Sequence, residues 1–156
     1  MLKDPECLAR YEESISALDE LPKAPTLDQI HQLQAMVAEQ PQTLNDAVHR
    51  FADGMYIREL TINAGDVVVG KMHRHEHPAM LIKGSATVYT DTGVSRMTAP
   101  YVWISTPGVK RVVYAHDECV FVTVHLNQDN AQDMDAIEAF HIVPEHLELD
   151  YQKELI

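Results

Sequence analysis

Cysteine is scarce in this chain. Cys7 and Cys119 lie far apart and show no metal-type spacing, so neither a disulfide framework nor a cysteine metal knuckle is expected. Both read as free thiols, Cys119 as a buried one. Basic residues are also few, twelve Lys and Arg against twenty-four Asp and Glu, for a formal charge of -12. Attraction to a phosphate backbone needs clustered cations, which argues against nucleic acid as a partner. No apolar run approaches the roughly 20 residues that a membrane span requires, and the opening MLKDPECLARYEES lacks the apolar core of a secretion signal. The expectation is a soluble protein of the cytoplasm with no membrane partner.

What is present suits one domain with an appendage: 156 residues, 46% of them apolar. Residues 4 to 20 place Leu8, Tyr11, Ile15 and Leu18 three and four apart, the period of one helical face. After the breaker PKAP, Thr26 and Gln29 form a capping-box pattern ahead of the stripe Leu27, Ile30, Leu33 and Val37. This predicts a second helix from about Leu27 to before Pro41. From about His49 the texture changes to short β-branched runs spaced by turn residues, the pattern of an antiparallel sandwich or barrel. Asp91-Thr92-Gly93 reads as a hairpin turn. Beyond Asn127 the sequence returns to a helix-like AQDMDAIEAF and an acidic tail. The organisation expected is a helical arm over residues 1–49, a β-barrel over 50–127, and a short helix and tail over 128–156.

Within the β region, GKMHRHEHPAM carries His73, His75 and His77 at alternate positions. On a strand, Lys71, His73, His75 and His77 share one face and Met72, Arg74 and Glu76 the other. Neighbours on that face lie roughly 7 Å apart and positions four apart roughly 13 Å, so all three histidines meet one ion only if the strand bends, as Pro78 encourages. A further ligand must come from elsewhere, and His125 at the end of CVFVTVHLN is the candidate. Tyr101 and Trp103 alternate with Val102 and Ile104 and are expected to pack one barrel wall.

The segment from Gly65 to Gly84 resembles the first motif of the cupin family, small double-stranded β-barrels of the jelly-roll type. Gly65, Lys71, His73, His77 and Gly84 fall on its five slots. Lys71 stands where the family has its first His, and His77 where it has Glu. The second motif resembles Thr106-Pro107-Gly108-Val109-Lys110-Arg111, with Arg111 in the His slot. More narrowly, FADGMYIRELTINAG, GKMHRHEHPAMLIKG, TAPYVWISTPGVKRVVYA and VFVTVHLN are similar to a group of small cupin-like proteins of tailed bacteriophages and prophages. That resemblance maps onto His73, His77, Lys110, Arg111 and His125, and implies an infected bacterial cell, or the virion, as the setting.

Three functional readings follow. In the first, one divalent ion (Zn, Fe, Mn or Ni) sits on His73 with His77 or His75, and on His125, leaving an open position suited to catalysis. Against it stand the charges of Lys71 and Arg111. In the second, Lys71, Lys110 and Arg111 form a basic pocket for a small anion. In the third, the histidines only hydrogen-bond within the barrel, and the surface serves virion partners or a second copy, a homodimer being the expected assembly.

Overall fold

A computed structural model describes Glu12, residues 15–45 and residues 47–156. The periodic segment 4–20 therefore lies mostly outside the described residues, which are helical at 15–20. The second predicted helix spans Leu27–Ala38. The Gln29 amide donates to Thr26 Oγ1, and the Thr26 amide donates to Gln29 Oε1 at 2.9 Å, which completes the capping box. Leu27, Ile30 and Leu33 are its buried face, as the spacing predicts.

Nine strands follow: β1 Ala47–Ala52, β2 Met55–Ile62, β3 Val67–Val69, β4 His77–Lys83, β5 Ser85–Thr90, β6 Gly93–Thr98, β7 Tyr101–Ser105, β8 Val112–Ala115 and β9 Cys119–Leu126. Eight of them pair as one long hairpin folded on itself: β2 with β9, β3 with β8, β4 with β7 and β5 with β6, all antiparallel. Lateral pairing of β4 with β9 and of β5 with β8 rolls that hairpin into two sheets, ordered β1-β2-β9-β4-β7 and β3-β8-β5-β6. Nested pairing of this kind is jelly-roll topology, and the fold is mainly β, as expected. The first strand begins at Ala47, slightly before the change of texture in the sequence.

Alternation decides what each strand sends inward. Ile62, Leu81, Val88, Val113 and Cys119 meet between the sheets with Ala86, Met97 and Ala115. Full burial of one such side chain as large as Leu81 contributes about 1.5–3 kcal/mol. The helix Leu27–Ala38 packs Ile30 and Leu33 on Val112 outside the smaller sheet, so the arm is part of the domain's packing. Gly84 ends the β4 turn at φ 86°, where an added Cβ would run into the Glu118 carbonyl oxygen. The hairpin at Asp91-Thr92 forms as predicted, with Thr90 paired to Gly93.

The acidic tail is not a solvated appendage. A helix spans Met134–His141, and another, Glu148–Glu154, folds back onto the β domain. Glu148 is 2% exposed. It accepts from Lys110 Nζ at 2.9 Å and bonds His31 Nε2 at 2.7 Å, tying together the capped helix, the turn before β8 and the C-terminal helix. Tyr151 Oη donates to the Arg74 carbonyl, and the Arg74 guanidinium lies over the Tyr151 ring. Arg74 also donates to the Ile142 carbonyl, so its side chain holds the C-terminal segment.

Candidate metal centre and ligand cavity

Residues 71–76 are not a strand. Only His73 makes an isolated bridge, to Ile142, before β4 begins at His77. The alternating face expected for Lys71, His73, His75 and His77 is therefore not formed. The bend has a consequence that a flat strand would forbid: the His73 and His77 rings lie 4.5 Å apart between centroids. The register that pairs Ala79 with Thr123 sets His77 opposite His125, at 4.4 Å, and His125 stacks on His73 at 5.3 Å. One ligand nitrogen from each of the three falls within 4.8 Å of the others.

His75 does not join them. It is exposed, and its ring packs against Phe140 and His141. Its carbonyl nevertheless serves the site, because His77 Nδ1 donates to it at 3.0 Å and leaves Nε2 as the lone-pair nitrogen. His125 Nε2 shares a hydrogen bond of 2.9 Å with Thr123 Oγ1. His73 Nδ1 is buried without a partner of good geometry among the described residues.

Burial is the main cause that keeps these imidazoles neutral. It lowers the pKa of His73 to about 3, with His77, Arg111 and His141 adding to the effect and the Lys71 carbonyl opposing it. His125 falls to about 2, through burial first, then His77, His73, His141 and Arg58. His77 is lowered by burial and by Arg111, against the pull of the His75 carbonyl. Neutral imidazole is the form that binds a metal.

These histidines line a cavity of about 540 Å³ between the sheets. Its wall grades from polar to apolar by strand register. Tyr56 faces His125, then Arg58 faces Thr123, then Leu60 faces Phe121, while Ala79 sets Trp103 beside Thr123. Trp103 packs a wall as expected, whereas Tyr101 is 41% exposed at the sheet edge. The helix Met134–His141 adds Met134, Ile137, Glu138 and His141 to the lining.

The three expected cations part company. Arg111 lines the cavity. Lys71 also lines it, but its ammonium is paired with Glu138, so the charge expected to repel a metal is compensated. Lys110 is 3% exposed and held by Glu148, so it is engaged in packing the C-terminal helix. Three lining residues escaped the sequence reading. Arg58 was legible, since period-two alternation places it on the inner face with Tyr56 and Ile62. His141 and Glu138 were not, because they reach the cavity through the fold-back of a helix.

No protein-family model matches the sequence, and no curated protein matches it. Solved structures do resemble the fold. Salicylate 1,2-dioxygenase from Pseudaminobacter salicylatoxidans aligns with a TM-score of 0.50 at 13% identity, over 74% of this chain and 34% of that one. A cupin-2 domain containing protein from Shewanella frigidimarina gives 0.45 at 9% identity, over 60% of this chain and 91% of that one. Ectoine synthase from P. lautus gives 0.47 at 16%, over 54% and 65%. At such identities the likeness concerns the fold alone.

The strand topology by itself defines a jelly roll. Its distinguishing feature is a group of three histidines, two buried and one half-buried, lining the cavity between the sheets.

Proposed function

We propose that this protein binds one divalent metal ion, Zn, Fe, Mn or Ni, on His73, His77 and His125, and receives a small ligand in the cavity beside it. The observation that carries this reading is the convergence of three imidazoles, His77 and His125 buried and His73 half-buried, each held below the ordinary histidine range. Burying three imidazoles together without an ion forfeits hydration that coordination would replace. A bound ion would supply a Lewis acid with an open position. The chain's own residues orient the ligand nitrogens through the His75 carbonyl and Thr123. If the site is catalytic, oxygen, isomerisation or hydrolysis chemistry is the class to screen.

The test is elemental analysis of untagged protein purified without chelator, with metal added back to any empty sample. Near one ion per chain in the wild type, lost in His73→Ala and His125→Ala, supports the reading. A wild-type chain that stays metal-free after add-back overturns it. The phage setting and a virion role rest on the sequence resemblance. The expected homodimer has a candidate surface in Ile82, Val102 and Ile104, all more than half exposed on the larger sheet.

A further inference from the structure

The unpaired polar groups around the cavity point to one chemistry. Arg58 and Arg111 both line it, and among the described residues neither guanidinium is hydrogen-bonded to a carboxylate, in a chain with twenty-four acidic side chains. By contrast Arg50, Lys71, Lys83 and Lys110 each meet a carboxylate directly. Asp91 acts on Arg111 only through its field. Two further lining residues, Trp103 and Ser105, bury an indole Nε1 and a hydroxyl with no partner among the described residues. Ser105 is 1% exposed. Guanidinium and indole N–H groups only donate, and a hydroxyl can donate. A ligand that satisfies this set must bring acceptors.

Placement narrows the ligand further. Arg58, Thr123, Ala79 and Trp103 form one row across β2, β9, β4 and β7, a single layer inward from His125 and His77. Arg111 stands just before β8, on the facing sheet. The next layer inward, Leu60 with Phe121, is apolar. A multiply charged phosphate would meet this apolar floor and the long-range repulsion of a chain of charge -12. A singly charged head on an apolar body suits both.

We infer that the cavity takes a small organic carboxylate, its carboxyl group held between Arg58 and Arg111 and its apolar body set against Trp103 and Phe121. This rests on the reading of the cavity as the ligand site, and it is independent of whether the ion is present. A guanidinium binds carboxylate through paired N–H donors, so the amide of the same acid binds more weakly.

The experiment titrates full-length protein with benzoate, phenylacetate and butyrate, each beside its amide, and with inorganic phosphate. The indole N–H resonance of the one Trp in the chain reports occupancy. Expected is a shift with at least one acid, at least tenfold tighter binding than its amide, and a loss of tenfold or more in Arg111→Gln and in Arg58→Gln. Folding of each variant is checked by its amide spectrum, and the acid-to-amide comparison in wild type stands without them. Three results overturn the inference: no acid preferred over its amide, acid binding unchanged in both variants, or phosphate bound more tightly than every acid. Metal content of the same samples separates the two readings. A metal-free chain that prefers acids removes the ion and keeps the carboxylate site; a metal-loaded chain without that preference does the reverse.

Discussion

His77 and His125 face each other across β4 and β9, with ring centroids 4.4 Å apart and His73 stacked on His125. Two strand side chains and one from a bend thus make a site that no single segment contains.

Loading the site with metal is expected to stabilise the fold, because an ion that binds only the folded chain shifts unfolding by mass action. At one hundred times the dissociation constant the gain is about 2.7 kcal/mol. Thermal melts with and without Zn²⁺ measure it, and His77→Ala abolishes the difference. An equal gain in wild type and variant would place the ion elsewhere.

The metal-free protein loses stability in acid. His73 and His125 have folded pKa values of about 3 and about 2, below the 6.5 of the unfolded chain. Above pH 6.5 both states are neutral and the contribution is fully present. Below it the unfolded chain takes up protons that the folded chain refuses, so stability falls towards the folded pKa values, by on the order of 1 kcal/mol per pH unit for each histidine. Urea unfolding at pH 7.5, 6 and 5 reads this slope. A shallower slope in a His73→Gln, His125→Gln double variant identifies these two as its main source, the remainder coming from His77 and His141, whose pKa values burial also lowers.

Glu148→Gln removes the charge partner of buried Lys110 and is expected to cost about 3–5 kcal/mol, the usual range for breaking a buried pair. Lys110→Met with Glu148→Met removes both charges and should recover a large part of the loss. If Glu148→Gln unfolds at the wild-type urea midpoint, the C-terminal helix is not held by this pair.

Two glycines with similar backbone angles should respond differently to alanine. At Gly108, φ 78°, the new Cβ would meet the flexible Leu155 side chain; at Gly84 it would meet the Glu118 backbone. Left-handed backbone costs alanine about 1–2 kcal/mol at either site. Only Gly84→Ala adds a clash that backbone must relieve, so its unfolding midpoint is expected to drop further. The reverse order would contradict this account.

Much of the fold was legible because local rules govern it. Thr26 and Gln29 announce a helix start through their own hydrogen bonds, and the β-branched runs announce strands through alternation. The same alternation, carried along β2, places Arg58 inward with Tyr56, a reading that the sequence analysis did not draw. The alternating rule failed at His75, where the chain bends before β4 and turns that ring outward to Phe140. His73 and His77 meet because of the same bend.

By itself the sequence determined the capped helix, the strand alternation and the segment that carries the histidines, since these depend on residues close along the chain. Tertiary structure alone decided which histidines converge, which of Lys71, Lys110 and Arg111 is left without a carboxylate, and how His141 reaches the cavity. Those outcomes turn on contacts between residues as distant as Lys110 and Glu148 or His73 and His125. Pairing between strands and the fold-back of the last helix bring them together, and no local periodicity encodes that distance.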